Sequence, residues 1–250
     1  MARSCILNLD GLGPLSTGSG ERSQPLFQGR HSPCLYQARL SDPIHQIVLF
    51  VHTMRFTTQF LLSAMSAAQF PAPDVPEIAF LGRSNVGKSS LLNTLVGDKA
   101  AKVSSTPGRT RAINFFALLD QSQRRKLVFA DLPGYGYAKI SKSISAGWPA
   151  FIEPYLAIRS TLKICVCLVD SNVPPQESDR QLLDWLRAAG RDVAVVATKI
   201  DRLSGNERTR NLLALKKGLE VDELLPVSAK TGSGIKELWA QIETAAGVQS

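Results

Sequence analysis

The sequence predicts an α/β fold: a mostly parallel, doubly wound sheet of about six strands, one of them an antiparallel edge, flanked by helices. Three observations predict it. Short continuous apolar runs recur between residues 77 and 227, and runs of this kind suit parallel strands buried on both faces. Segments with helical start and stop signals lie between the runs. Each run also ends in a polar cluster, and ligands of such sheets bind at the carboxyl ends of the strands.

Taken in order, Glu77–Leu81 is the first apolar run and opens into a glycine loop. The loop leads into a helix predicted over Ser89–Val96. Thr110–Leu119 is the odd strand, expected to pair antiparallel at the edge. Leu127–Ala130 ends at Asp131, and Ile164–Val169 ends at Asp170. Ser178 and Gln181 have capping-box spacing for a helix that runs to Ala189 and closes on Gly190. Val193–Ala197 ends at Thr198, and Ser204 with Glu207 forms a second box. Leu224–Val227 ends at Ser228, and a last helix, Ile235–Ala246, stops before Gly247.

The stretch before these elements differs from them. Residues 10–37 are rich in Gly, Ser and Pro and show neither strand nor helix period. The expected organisation is an extension over residues 1–53 and one domain over 54–250. The extension reads either as flexible or as translation from an upstream start codon, with Met54 as initiator. Asn8 and Asp10 interrupt the apolar segment that a secretory signal needs, and Asp10, Glu21 and Asp42 are out of character for a transit peptide.

Composition narrows the chemistry. The chain has 250 residues, 44% hydrophobic and 20% charged, which excludes collagen-like, wholly disordered and small disulfide-scaffold classes. Its four cysteines lack zinc-ligand spacing and suit a reducing compartment. No apolar stretch reaches the ~18 residues of a membrane span. All three histidines (His31, His45, His52) precede residue 54. A domain after that point has no histidine base or histidine metal ligand, so catalysis must use carboxylates, lysine, hydroxyls, backbone dipoles or a hard cation. The net charge is +8, of which residues 54–250 carry +7. A basic domain suits a polyanion such as RNA, and a solubility role meets the charge equally well.

The motifs are more specific. Gly82 to Ser89 reads G-x-x-x-x-G-K-S between a predicted strand and a predicted helix, the context that marks a phosphate-binding loop. Glycines let successive backbone N–H groups turn inward, and the helix N-terminus adds positive potential. Lys88 is placed to reach the β- and γ-phosphates, and Ser89 offers a hydroxyl to Mg²⁺. This loop alone specifies a nucleoside triphosphate. The base is read by Thr198-Lys199-Ile200-Asp201, because a carboxylate accepts from guanine N1–H and its amino group, whereas adenine has no such donor pair. Thr198 stands where asparagine is commoner, which is expected to loosen this loop slightly. The Lys199 stem can cover the ring, and a backbone N–H in Ser228-Ala229-Lys230, best Ala229, can donate to guanine O6. Asp131-Leu132-Pro133-Gly134 supplies a carboxylate for Mg²⁺ through water and a Gly134 N–H for the γ-phosphate, contacts that change when that phosphate leaves. Thr110 is the leading candidate for the second Mg²⁺ hydroxyl, with Thr106 second.

GRSNVGKSS, TPGRT, DLPGYGYAK and TKID together strongly resemble the EngB (YihA/YsxC-like) ribosome-biogenesis GTPases of bacteria. The resemblance covers roughly residues 54–250, and Tyr135-Gly-Tyr137 makes it specific. It implies a P-loop GTPase domain and a cytoplasmic enzyme that needs Mg²⁺ and hydrolyses GTP to GDP. It further implies action in assembly of the large ribosomal subunit, in contact with rRNA and with neither DNA nor membrane, and a monomer away from the ribosome. The family is also linked to cell division and septation.

The expected nucleotide site comprises Gly82, Arg83, Ser84, Asn85, Val86, Gly87, Lys88, Ser89 and Ser90, then Gly108, Arg109, Thr110, Arg111 and Ala112. Asp131–Gly134, Thr198–Asp201 and Val227–Ala229 complete it. Lys88, Thr110, Gly134 and Asn85 are the expected catalytic residues, and Ser89, Thr110 and Asp131 the metal ligands. Tyr135 occupies the position where Ras-like enzymes carry a water-orienting glutamine, so slow intrinsic turnover is expected. Asn85 either holds a K⁺ ion beside the β/γ bridge, by analogy with related GTPases, or only caps the loop. Two basic groups are candidate RNA contacts: Lys102, Arg109, Arg111, Arg124, Arg125, Lys126, Lys139 and Lys142 near the switch, and Arg208, Arg210, Lys216 and Lys217 on a predicted helix, where a solvated face is the competing reading. Trp148, Trp185 and Trp239 read as packing residues. Two alternatives remain: a small-molecule kinase, disfavoured by Asp201, and an RNA-binding module that keeps GTP as a structural ligand.

Overall fold

Each apolar run of the sequence becomes a strand of one sheet in the computed structural model, which describes residues 56–97, 112–135 and 150–248. The strands are β1 (Thr57–Ala64), β2 (Glu77–Gly82), β3 (Ile113–Leu119), β4 (Arg125–Asp131), β5 (Leu162–Asp170), β6 (Val193–Thr198) and β7 (Leu225–Pro226). The helices are α1 (Lys88–Val96), α2 (Ile152–Ile158), α3 (Glu177–Ala188), α4 (Gly205–Gly218) and α5 (Ile235–Ala246). The sheet has seven strands in the order β1-β3-β4-β2-β5-β6-β7. β2 pairs parallel with β4 and β5, β5 with β6, and β6 with β7. The antiparallel pairing falls at one end of the sheet, where β3 lies between β4 and β1.

Two details differ from the expectation. β1 is a seventh strand outside β3, so Ile113–Leu119 is covered on its outer side. Its residues alternate irregularly between exposed and half-buried up to the buried Ala64, and the register shifts between Phe60 and Leu62. Neither a clean period nor a continuous apolar run announces it. The helix over residues 177–188 begins at Glu177 with Gln176 as N-cap, so Ser178 lies inside it. The expected box does not form, and the Gln181 side-chain amide donates instead to the Glu177 carboxylate at 3.1 Å. The second box forms as expected: the Glu207 carboxylate accepts from the Ser204 N–H at 3.0 Å and its hydroxyl at 2.7 Å. The expected boundary between residues 53 and 54 lies outside the described residues.

Alternate side chains of the central strands feed two cores, one on each face, as the pleat requires. Ile78, Phe80, Val166 and Leu168 pack with Leu91 and Leu95 of α1 and Leu238, Trp239 and Ile242 of α5. Ala79, Leu81, Cys165 and Cys167 pack with α2, α3 and Leu215 of α4. Trp239 is buried and donates its indole N–H to the Leu95 carbonyl at 3.2 Å, while Trp185 packs at the rim of the other core. Burial pushes the Cys165 thiol up to about 12. Cys165 and Cys167 are free and buried and serve as small apolar groups.

At the amino end of β2, Glu77 is 1% exposed. It accepts from Tyr155 Oη at 2.8 Å, Arg159 Nε at 2.8 Å and Thr161 Oγ1 at 2.7 Å. This end is opposite the strand ends that carry the motifs, so the network acts on stability. Removing one partner of a buried ion pair strands the other charge. Glu77→Ala should therefore lower the unfolding free energy by about 3 kcal/mol, seen as a lower urea midpoint. A loss below about 1 kcal/mol would show that Arg159 finds water or another partner.

Candidate nucleotide-binding site

The strand order reverses around β2: the chain continues to β3 and β4 on one side and to β5 on the other. Crevices form at the carboxyl ends of strands at such a point. The Gly82–Lys88 loop leaves β2 there. Gly87, at φ +106°, occupies a left-handed conformation that suits glycine, and it turns the loop into α1. The N–H groups of the first helical turn have no partner within the helix and face the loop end.

The Asp131–Gly134 segment is laced onto this loop. Leu132 N–H donates to the Phe80 carbonyl at 3.1 Å and Ser84 N–H to the Tyr135 carbonyl at 3.2 Å. A Cβ on Gly134 would lie 2.9 Å from Ser84 Oγ and 3.1 Å from the Ser84 backbone nitrogen, so a side chain here would have to displace Ser84. The Lys88 ammonium pairs with Asp131, and both side chains are about nine-tenths buried.

Thr198–Asp201 and the loop after β7, the expected base-reading residues, close the other side. The buried Thr198 hydroxyl lies 2.6 Å from the Val86 carbonyl and 3.1 Å from that of Val169. The Thr198 hydroxyl thus reaches the phosphate loop directly. Lys199 Nζ donates to the Asn85 carbonyl at 2.6 Å and pairs with Asp170 at 2.7 Å. Asp201 is exposed, and its carboxylate accepts from Ser228 Oγ at 2.7 Å. Ser228 Oγ is itself held by the N–H groups of Lys230 at 3.2 Å and Thr231 at 3.1 Å. The Thr94 hydroxyl lies 3.1 Å from the Ala229 carbonyl, so α1 also supports this last loop. Phosphate loop, base loops and Asp131 segment therefore share one rim of the sheet. Gly108, Arg109, Thr110 and Arg111 lie outside the described residues, as does Thr106; Ala112 is buried at the start of β3.

The residues present fit Mg²⁺. Ser89, beside Lys88, and Asp131 offer hard oxygen atoms. Among the described residues no group of three or more His, Cys, Asp or Glu could hold a metal ion. A cation here would take its remaining ligands from phosphate and water, which Mg²⁺ favours. When bound, Mg²⁺ would neutralise charge on the phosphates.

Comparison with known proteins decides the family. Residues 77–199 match the family model described as 50S ribosome-binding GTPase. A probable GTP-binding protein EngB from Acidobacterium capsulatum is 62% identical over 195 residues, covering 77% of this chain and 92% of that protein. Its counterpart from Koribacter versatilis is 58% identical over 198 residues, covering 79% and 98%. The chain belongs to the EngB family of GTP-binding proteins. As an EngB family member it is a GTPase. A crystal structure of a probable GTP-binding protein engB shares the fold, with a TM-score of 0.53 at 23% identity over 69% of this chain and 100% of that one.

Two features of this EngB site were not apparent from its motifs. Tyr135 is buried, and its hydroxyl donates to Asp179 in the first turn of α3 at 2.9 Å. Burial raises the Asp179 carboxyl to about 6, against the lowering effects of the phenol hydrogen bond and of Arg83. The second is the reach of Asp170 to Lys199. Its only sequence signal was its place at a strand end, like the other polar clusters. Nothing in the sequence pairs Tyr135 with Asp179, which are 44 residues apart.

Proposed function

We propose that the chain is a slowly hydrolysing GTP switch that assists assembly of the large ribosomal subunit, with cell division and septation dependent on that role. Gly134 and Lys88 bind the γ-phosphate end, Asp201 binds the base, and Ser89, Asp131 and Thr110 hold Mg²⁺. The carrying observation is Tyr135. At the point where a glutamine would orient water, this side chain is buried and committed to Asp179, so turnover depends on help from outside. The family model's description as ribosome-binding supports the large subunit as the source of that help.

Exposed Arg124, Arg210, Lys216 and Lys217 are the best-placed rRNA contacts. Arg125 and Lys126 are engaged by Asp74 and Asp120, which reduces their availability to phosphate. Asn85 is exposed on the phosphate loop, where its side chain is free to hold K⁺. Among the described residues no helix is long and apolar enough to cross a membrane. The family resemblance, rather than any feature of the fold, is what suggests a cytoplasmic monomer that joins the subunit transiently.

Phosphate release from GTP tests the reading, measured with and without large subunits and in potassium or sodium at equal ionic strength. Expected are a slow basal rate, stimulation by subunits, and faster release in potassium. Equal rates in the two salts would remove the K⁺ role. Tyr135 also admits a second reading, an rRNA-binding module with GTP as a structural ligand. Co-sedimentation with subunits in the absence of any stimulation would favour it.

A further inference from the structure

The turn that follows β5 holds both ends of Lys199. Asp170 takes the ammonium at 2.7 Å. Asn172 donates its side-chain amide to the Lys199 carbonyl at 3.3 Å and to Asp170 Oδ1 at 3.0 Å. Asn172 N–H also donates to Asp170 Oδ1, at 3.0 Å, closing an Asx turn. The neighbouring strands fix the register, since Asp170 lies directly beside Thr198.

Lys199 and Asn85 both adopt left-handed backbone, at φ +60° and +65°. That conformation is uncommon for a lysine and better tolerated by an asparagine. The two residues are joined to each other by the bond from Lys199 Nζ to the Asn85 carbonyl, 2.6 Å long. Burial acts to raise the Asp170 carboxyl, but bonds from Lys199 and Asn172 outweigh it and hold the group below the usual carboxylate range. It is therefore a carboxylate at neutral pH, able to hold an ammonium in place.

We propose that Asp170 is a positioning residue for the guanine nucleotide. By pinning the Lys199 ammonium on the Asn85 carbonyl, it sets the stem that covers the base and the closed form of the phosphate loop together. The motifs that read base and phosphate do not contain it. A chain in which Lys199 swings free loses both features at once, because one ammonium serves both loops. The inference rests on Asp201 and Lys199 forming the base site. Failure of that assignment would appear separately, as a parent protein that does not prefer guanine over adenine nucleotides.

The test uses the full chain, labelled GDP and stopped-flow release. Asp170→Asn places an amide where the ammonium needs an acceptor, and should speed GDP release about tenfold. Lys199→Met should do the same, and the double variant should be no faster than the faster single one. Thermal midpoints without nucleotide should stay within about 2 °C of the parent, which a merely structural role would not allow. Release within about twofold of the parent, or effects that multiply in the double variant, would overturn the proposal. If Asp170→Asn does not fold, Asn172→Ala gives a milder version, about threefold faster release. No change in that variant would overturn the proposal equally.

Discussion

Asp201→Asn should convert a guanine site into a xanthine site, with a swing in relative affinity on the order of 10⁴. The carboxylate stands exposed just after β6, and Ser228 Oγ fixes one of its oxygens at 2.7 Å. Two donors of guanine, N1–H and the amino group, need two acceptor sites on the side chain. An asparagine would keep its oxygen on Ser228, which turns its NH₂ toward the base. That NH₂ would oppose the guanine amino group, and a buried donor facing a donor is costly. Xanthine carries a carbonyl at that position and accepts instead. Competition of labelled guanine nucleotide by XTP and GTP measures the swing. A variant that still prefers GTP would mean that the base is read elsewhere.

Removing the Lys88 ammonium comes next in size. Lys88→Ala should weaken GTP binding by about 10³, since two charge-assisted bonds to phosphate oxygens, each about 1.5–3 kcal/mol, disappear. In this structure the ammonium is nearly buried and lies on Asp131. The variant thus leaves a carboxylate in the crevice without its counter-charge, beside the triphosphate. Calorimetric titration with Mg²⁺ and GTP reads the loss. A melting curve of the variant alone separates it from unfolding. Binding within about tenfold of the parent would place the phosphates away from this loop.

The parts of the fold that were legible share a local code. The phosphate loop needs a glycine at a left-handed position and a lysine in the first helical turn, and both requirements are met within eight residues. The Ser204–Glu207 box closes within four residues, and the buried strands announce themselves as unbroken apolar runs. β1 carried no such code. Its Thr57–Ala64 backbone becomes a strand because β3 offers an open edge, and Phe60 rests edge-on against Phe116 at 5.6 Å. Ser178 misled because capping spacing says nothing about where the preceding Pro174-Pro175 lets the helix begin.

The sequence by itself determined which chemical groups this protein brings to a nucleotide, since each motif folds on neighbours a few residues away. Only the tertiary structure decided that Asp170 reaches Lys199, that Tyr135 is spent on Asp179, and that Thr198 ties down the phosphate loop. Those contacts span 29, 44 and 112 residues. The order in which strands pack side by side chooses such partners, and that order is set by burial of both sheet faces at once rather than by any short stretch of chain.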